Sequence, residues 1–119
     1  MKFLKRMSLV MALAAMVLCT ALDSSAQLID GHKLVADMQE FEKAERKDPD
    51  TNCQQAFFYV GYVTGVYDAS DDFYPYPGKP TIKEICSLVA KYLKDNPGKW
   101  GRPADLLIIE ALQKAFPKK

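Results

Sequence analysis

The sequence predicts an all-α fold, on three observations. Thr51 followed by Gln54, and Thr81 followed by Glu84, have the capping-box spacing that marks a helix start. Apolar residues then recur at three- and four-residue intervals. Nothing alternates with the two-residue period of a sheet over a useful length. The expected product is a compact single domain of about four helices, in orthogonal or bundle-like packing, with one disulfide.

A leader is expected to precede that domain. Lys2, Lys5 and Arg6 make a positive start, Met7 to Leu22 is almost wholly apolar, and Ser24-Ser25-Ala26 offers the small residues that signal peptidase needs. Residues 1–26 therefore read as a signal peptide cut after Ala26, and residues 27–119 as the exported, periplasmic domain. A membrane anchor would want a longer apolar run and a basic stop-transfer flank. A lipoprotein at Cys19 would want a smaller residue than Leu18 before it. Three of the 16 basic and one of the 15 acidic residues leave with the leader, so 13 face 14 in the domain. A net charge of −1 gives no bulk attraction to nucleic acid or to anionic lipid, and no stable membrane insertion is expected after cleavage.

The remaining 93 residues are few enough for core burial alone to be marginal, so a further constraint is expected. In an oxidising compartment Cys53 and Cys86 are most simply a disulfide, closing a loop of roughly 30 residues for about 3 to 4 kcal/mol. The rival reading, a catalytic thiol, has only His32 to serve as its imidazole.

The first helix should run from near Gly31 to Lys47. Leu34, Val35, Met38 and Phe41 form its packed stripe, and Asp48-Pro49-Asp50 ends it. The second should cover Asn52 to about Ala69. The third, Ile82 to about Asp95, turns Ile82, Ile85, Val89, Tyr92 and Leu93 inward and stops at Asn96-Pro97-Gly98. Pro103 suits the first position of the fourth, whose Leu106, Ile109, Leu112, Ala115 and Phe116 face the core before Pro117.

Gly61 and Gly65 make a G-x-x-x-G pattern inside the second helix. Gln54, Gln55 and Asp68 make that segment too polar to cross a bilayer. Each mid-helix glycine costs about 0.5 to 1 kcal/mol against alanine, so the pair is expected where another helix crosses with no room for side chains. Phe57, Phe58, Val60, Val63 and Val66 around it suggest packing on more than one side, and a homodimer is left open.

Asp68 to Pro80 has no such structural reason. Three prolines and a glycine prevent helix continuation and place Asp68, Asp71, Asp72, Phe73, Tyr74 and Tyr76 on surface chain. Rings on a proline-stiffened loop bury large areas at little entropic cost, which makes these six the candidate partner-binding residues. The alternative is a lid in which Phe73 and Tyr74 fold back over the core. One histidine, only two of the three cysteines left after the leader and no C-x-x-C, and no phosphate loop or G-x-S-x-G lead to no expected cofactor, metal or catalysis. Asp71 and Asp72 read as a solvated turn or rim charge, and His32 as a surface residue.

The runs "CQQAFFYVGYVTGVYDA", "YLKDNP" and "PADLLIIEALQKAFP", together spanning Cys53 to Pro117, resemble the Rap/Tai family of immunity proteins. There a Cys precedes a helix ending in aromatic-x-x-Gly-Val-x-Asp-Ala, and the last helix ends in Ala-Phe-Pro. Where members often carry further cysteines, this chain has none in its first helix and Lys118 after Pro117. The resemblance implies a small helical periplasmic protein without catalysis, which binds and occludes a peptidoglycan amidase toxin delivered by type VI secretion. The competing expectation is a periplasmic adaptor or envelope-stress module with a non-toxin partner.

Overall fold

The computed structural model describes residues 2–8, 11, 28–73, 75 and 78–117. Four helices carry the domain: α1 Gly31–Glu45, α2 Cys53–Ser70, α3 Ile82–Asp95 and α4 Ala104–Ala115, with 3-10 turns at Asp71–Phe73 and Pro97–Lys99. Among the described residues the only β pairing is an isolated bridge between Asp30 and Pro103. The all-α expectation holds, but compactness does not. The chain measures 75 × 42 × 23 Å with a radius of gyration of 21.3 Å, where a compact chain of this length would have roughly 14 Å. Residues 2–8 form a further helix, exposed throughout, with Phe3, Leu4 and Met7 outside the core.

The helix boundaries follow from local chemistry. Asp30 caps α1, its carboxylate accepting from Lys33 N at 2.9 Å. At the other end Lys47, at φ 57, takes the left-handed conformation that lets the Lys47 and Asp48 amides reach back to the Ala44 and Lys43 carbonyls. The cap of α2 is one residue later than the sequence suggests. Asn52 accepts from Gln55 N at 3.2 Å, while the Thr51 hydroxyl instead donates to the Asp48 carbonyl. Glu40 on α1 accepts from Asn52 N at 2.7 Å and so fixes where α2 starts. At α3 the reciprocal capping box of Thr81 and Glu84 forms as expected.

One core joins the four helices, with Leu34, Met38, Tyr59, Val63, Val89, Leu93, Leu107, Ile108 and Leu112 each 1% exposed or less. The packed stripe of α1 is as expected; α4 is rotated from its expectation. Leu106 is exposed, while Leu107 and Ile108 are fully buried. Leu106 to Ile109 is a continuous apolar run that leaves the helix phase ambiguous. Ile82 is likewise exposed, at the open start of α3.

The expected helix crossing at Gly61 and Gly65 is absent. Both glycines are exposed, and a Cβ on either would meet nothing within 4 Å. Phe57 and Phe58 lie on the same outer side of α2, so the helix is packed on one side only. The close approach occurs at Gly31, where an added Cβ would stand 2.6 Å from the Trp100 carbonyl oxygen and 2.7 Å from its Cα. Chain 29–31 runs against chain 100–104 through Gly31 N to Arg102 O, His32 N to Trp100 O, and Ala104 N to Ile29 O, at 2.9, 2.9 and 3.0 Å.

The expected disulfide is also corrected, because Cys53 and Cys86 are both free. Cys53 opens α2 in an exposed position, its thiol weakly directed to the Thr51 carbonyl. Cys86 is fully buried, and its carbonyl accepts from the Tyr59 hydroxyl at 2.8 Å. Tyr59 is six residues beyond Cys53, about 9 Å along the helix axis, so Cys86 packs against a later turn of α2 than the one Cys53 occupies. A bridge needs Cα atoms within about 7 Å.

Two outcomes are expected. In dilute solution Gly65→Ala raises stability by about 0.5 to 1 kcal/mol, whereas Gly31→Ala lowers it by about 1 to 3 kcal/mol or more through overpacking; urea denaturation measures both. In a Cys19→Ser background, Cys53 reacts quickly with a thiol reagent in the native protein and Cys86 only after unfolding. An unfolded, unreduced chain with no free thiol would contradict the second.

Candidate functional site

The acidic segment begins on the last turn of α2. Val63 and Ser70 are buried and Val66 half-buried, which leaves Asp68 on the opposite, exposed side. Ser70 donates back to the Val66 carbonyl, and Asp71 keeps helical dihedrals, so α2 passes directly into the turn Asp71–Phe73. Asp68, Asp71 and Asp72 are thus brought together as an exposed acidic edge. Pro75 is exposed, and Gly78, at φ 92, turns the chain toward the Thr81 cap of α3. Tyr74 and Tyr76 lie outside the described residues, as does the side chain of Phe73.

This edge gathers three acids with no ion-pair partner among the described residues. Several acids elsewhere face bases: Asp37 with Lys33, Glu40 with Lys43, Glu45 with Lys83, Glu42 with Lys94, and Asp95 with Lys91. None of Asp68, Asp71 and Asp72 enters an ion pair among the described residues, and α2 has no base in its last turn. Three carboxylates at a helix C-terminus are also opposed by the helix dipole.

The charged cluster around Glu110 is built oppositely. Glu110 on α4 accepts from the Tyr92 hydroxyl at 2.7 Å and pairs with Arg102 at 2.6 Å and Lys99 at 3.5 Å. These contacts, led by the Arg102 hydrogen bond, hold its carboxyl down to about 2. A cleft of about 370 Å³ between α1 and α3 is lined by Phe41, Glu42, Glu45, Arg46, Ser87 and Lys94; Glu42 pairs with Lys94 and Glu45 with Lys83, while Arg46 enters no ion pair among the described residues.

The arrangement does not assemble a thiol-imidazole pair. Burial pushes the Cys86 thiol up to about 11, with the Glu45 charge adding to it. His32 instead packs edge-on to Trp100, whose indole N–H donates to the Leu93 carbonyl, seven residues and about 10 Å along α3 from Cys86. Among the described residues no three potential ligands cluster for a metal ion, and no helix is long and apolar enough to cross a membrane.

Two features escape sequence reasoning. Asp37 is fully buried, with Lys33 Nζ 2.5 Å from each carboxylate oxygen, and that same ammonium stands 5.0 Å from the Phe58 ring centroid. Phe57 is 75% exposed. The signal for the second was present: Gln54 and Asp68 share its helix face, and polar residues at both ends mark a face as outer.

A family model, that of the Rap1a immunity proteins, matches residues 29–117. Comparison with curated proteins and with solved structures returned no match.

The Glu110 cluster carries a pH dependence of definite sign. A carboxyl lowered from 4.5 to about 2 by folding stabilises the native state fully above pH 4.5 and loses that contribution as pH falls through 2. Glu40, Glu84 and Asp95, also lowered, act in the same direction. Glu110→Gln is expected to cost about 1 kcal/mol at neutral pH and to converge with the parent near pH 2, read from urea midpoints across the acid limb.

Proposed function

Since the chain belongs to the Rap1a immunity proteins, we propose that it is a periplasmic immunity protein against a peptidoglycan amidase delivered by type VI secretion. It acts by stoichiometric binding, with residues 1–26 serving as a cleaved export signal. Family membership is the observation that carries this reading. The unmatched acidic edge supports its placement on the molecule: Asp68, Asp71 and Asp72 open the segment that reaches the toxin, and Phe73, Tyr74 and Tyr76 are its anchoring rings.

The division of labour follows from chemistry. Aromatic anchors buried in a partner's cleft hold the complex, whereas exposed carboxylates steer a basic rim toward it. Cys-His amidases, the toxin class that the resemblance implies, present an imidazole in such a cleft. Blocking it needs only shape and charge, and no group on this chain has to react.

Capture from a periplasmic extract of a toxin-delivering competitor identifies the amidase. Replacing Tyr74 and Tyr76 together by alanine is then expected to leave the helical spectrum and melting temperature unchanged while weakening binding by about 2 kcal/mol or more. Asp71→Asn with Asp72→Asn should lower the association rate and its salt dependence instead. Calorimetric titration and stopped-flow mixing measure the two. A double tyrosine variant that binds and protects as well as the parent would remove the loop from the interface.

A further inference from the structure

The cleft between α1 and α3 has a construction of its own. Lys83, Ser87, Ala90 and Lys94 follow one another on α3 at intervals of four, three and four, so they share one face of the helix. The two small residues lie between the two lysines, and Phe41, Glu42, Glu45 and Arg46 form the facing wall on α1. Glu45 crosses to Lys83 at 2.5 Å, and Glu42 crosses to Lys94. The space enclosed, about 370 Å³, falls within the range of small-ligand pockets.

Its charges leave one group over. Glu42 stands four residues before Arg46, the spacing at which an acid and an arginine pair along a helix. Glu42 turns across the cleft instead, Glu45 does the same, and the exposed Arg46 enters no ion pair among the described residues. Arg102, by contrast, is held by Glu110 at 2.6 Å. An unpaired guanidinium presents a planar fork of donors that matches a carboxylate. Ser87 adds a hydroxyl to the same cleft, while Phe41 and Ala90 give it an apolar lining.

We propose that this cleft binds a short peptide by its terminal carboxylate, taken by Arg46, with small side chains against Phe41 and Ala90, and that the peptide is a stem-peptide fragment of the cell wall. Such peptides end in D-alanine, which supplies both a free carboxylate and a methyl-sized side chain. The choice of a cell-wall source rests on the periplasmic reading above, whereas the carboxylate site rests on the cleft alone.

Titration of the isotope-labelled protein with N-acetyl-D-alanyl-D-alanine, followed by amide chemical shifts, tests the proposal. Arg46, Ser87 and Ala90 should report one saturable event, and the C-terminal amide of the same dipeptide should bind roughly tenfold more weakly or worse. Arg46→Gln should raise the dissociation constant roughly fivefold or more, and Arg46→Lys, which keeps the charge without the fork, about threefold. Lys114→Gln, outside the cleft, should leave it unchanged, and melting curves verify that each variant is folded. The L-alanyl isomer, the form a protein C-terminus would take, should bind about threefold more weakly or worse. No saturable shift at the three residues, an amide that binds like the acid, or an Arg46→Gln variant that binds like the parent would overturn the site. An L isomer that binds as tightly as the D form would overturn the cell-wall source. No toxin enters the titration, so its failure is distinct from a failure to find the amidase.

Discussion

The contact on which the fold depends is the passage of Trp100 over Gly31. The four helices share one core, with α1 and α2 joined through Phe41 and Tyr59, whose ring centroids are 5.2 Å apart, α2 and α3 joined by the Tyr59 hydroxyl donating to the Cys86 carbonyl, and α3 running into α4. At Gly31 the chain before α1 meets the chain between α3 and α4 with no side chain between them, and three backbone hydrogen bonds close the gap. The Trp100 indole then ties the same strap to the end of α3 through the Leu93 carbonyl. Glu110 gathers Tyr92, Lys99 and Arg102 beside it, so helix, turn and loop are held at one corner. A domain of this size needs a constraint beyond its core, and this strap supplies the one that the sequence suggests a disulfide for.

That corner leaves one face of α2 free for another use. Matched charges concentrate on α1, α3 and α4, while α2 shows one face, with the buried Tyr59, to the core and the other to solvent. Its outer face carries exposed Phe57 and bare glycines, and its end carries three carboxylates with no base. An element that is both central to packing and poorly covered presents surface without risking the core.

Much of the fold is legible in the residues because the signals are local. Thr81 and Glu84 form the capping box that their spacing announces, and Leu34, Val35, Met38 and Phe41 form one stripe with charged residues on either side. What is not legible depends on distant chain. Nothing near Gly31 shows that Trp100 will lie on it, since the two are far apart in sequence. Gly61 and Gly65 have the spacing of a crossing, yet spacing cannot say which side of a helix is covered. The phase of α4 is hidden by four consecutive apolar residues from Leu106 to Ile109, and Cys53 and Cys86 share a compartment without sharing a neighbourhood. Of the candidate site, the acidic edge is legible from composition alone because no partner within the chain had to be found for it.

Native-state hydrogen exchange tests the role of the strap most directly. The amides of Gly31, His32 and Ala104 all donate across it. If it is integral to the fold, they should exchange only through global unfolding, with the same free energy as the amides of Leu93 in α3 and Ile108 in α4. Exchange of the three at the rate of an exposed loop residue such as Lys79, while Leu93 and Ile108 stay protected, would show that the helices pack without the strap and would contradict the account.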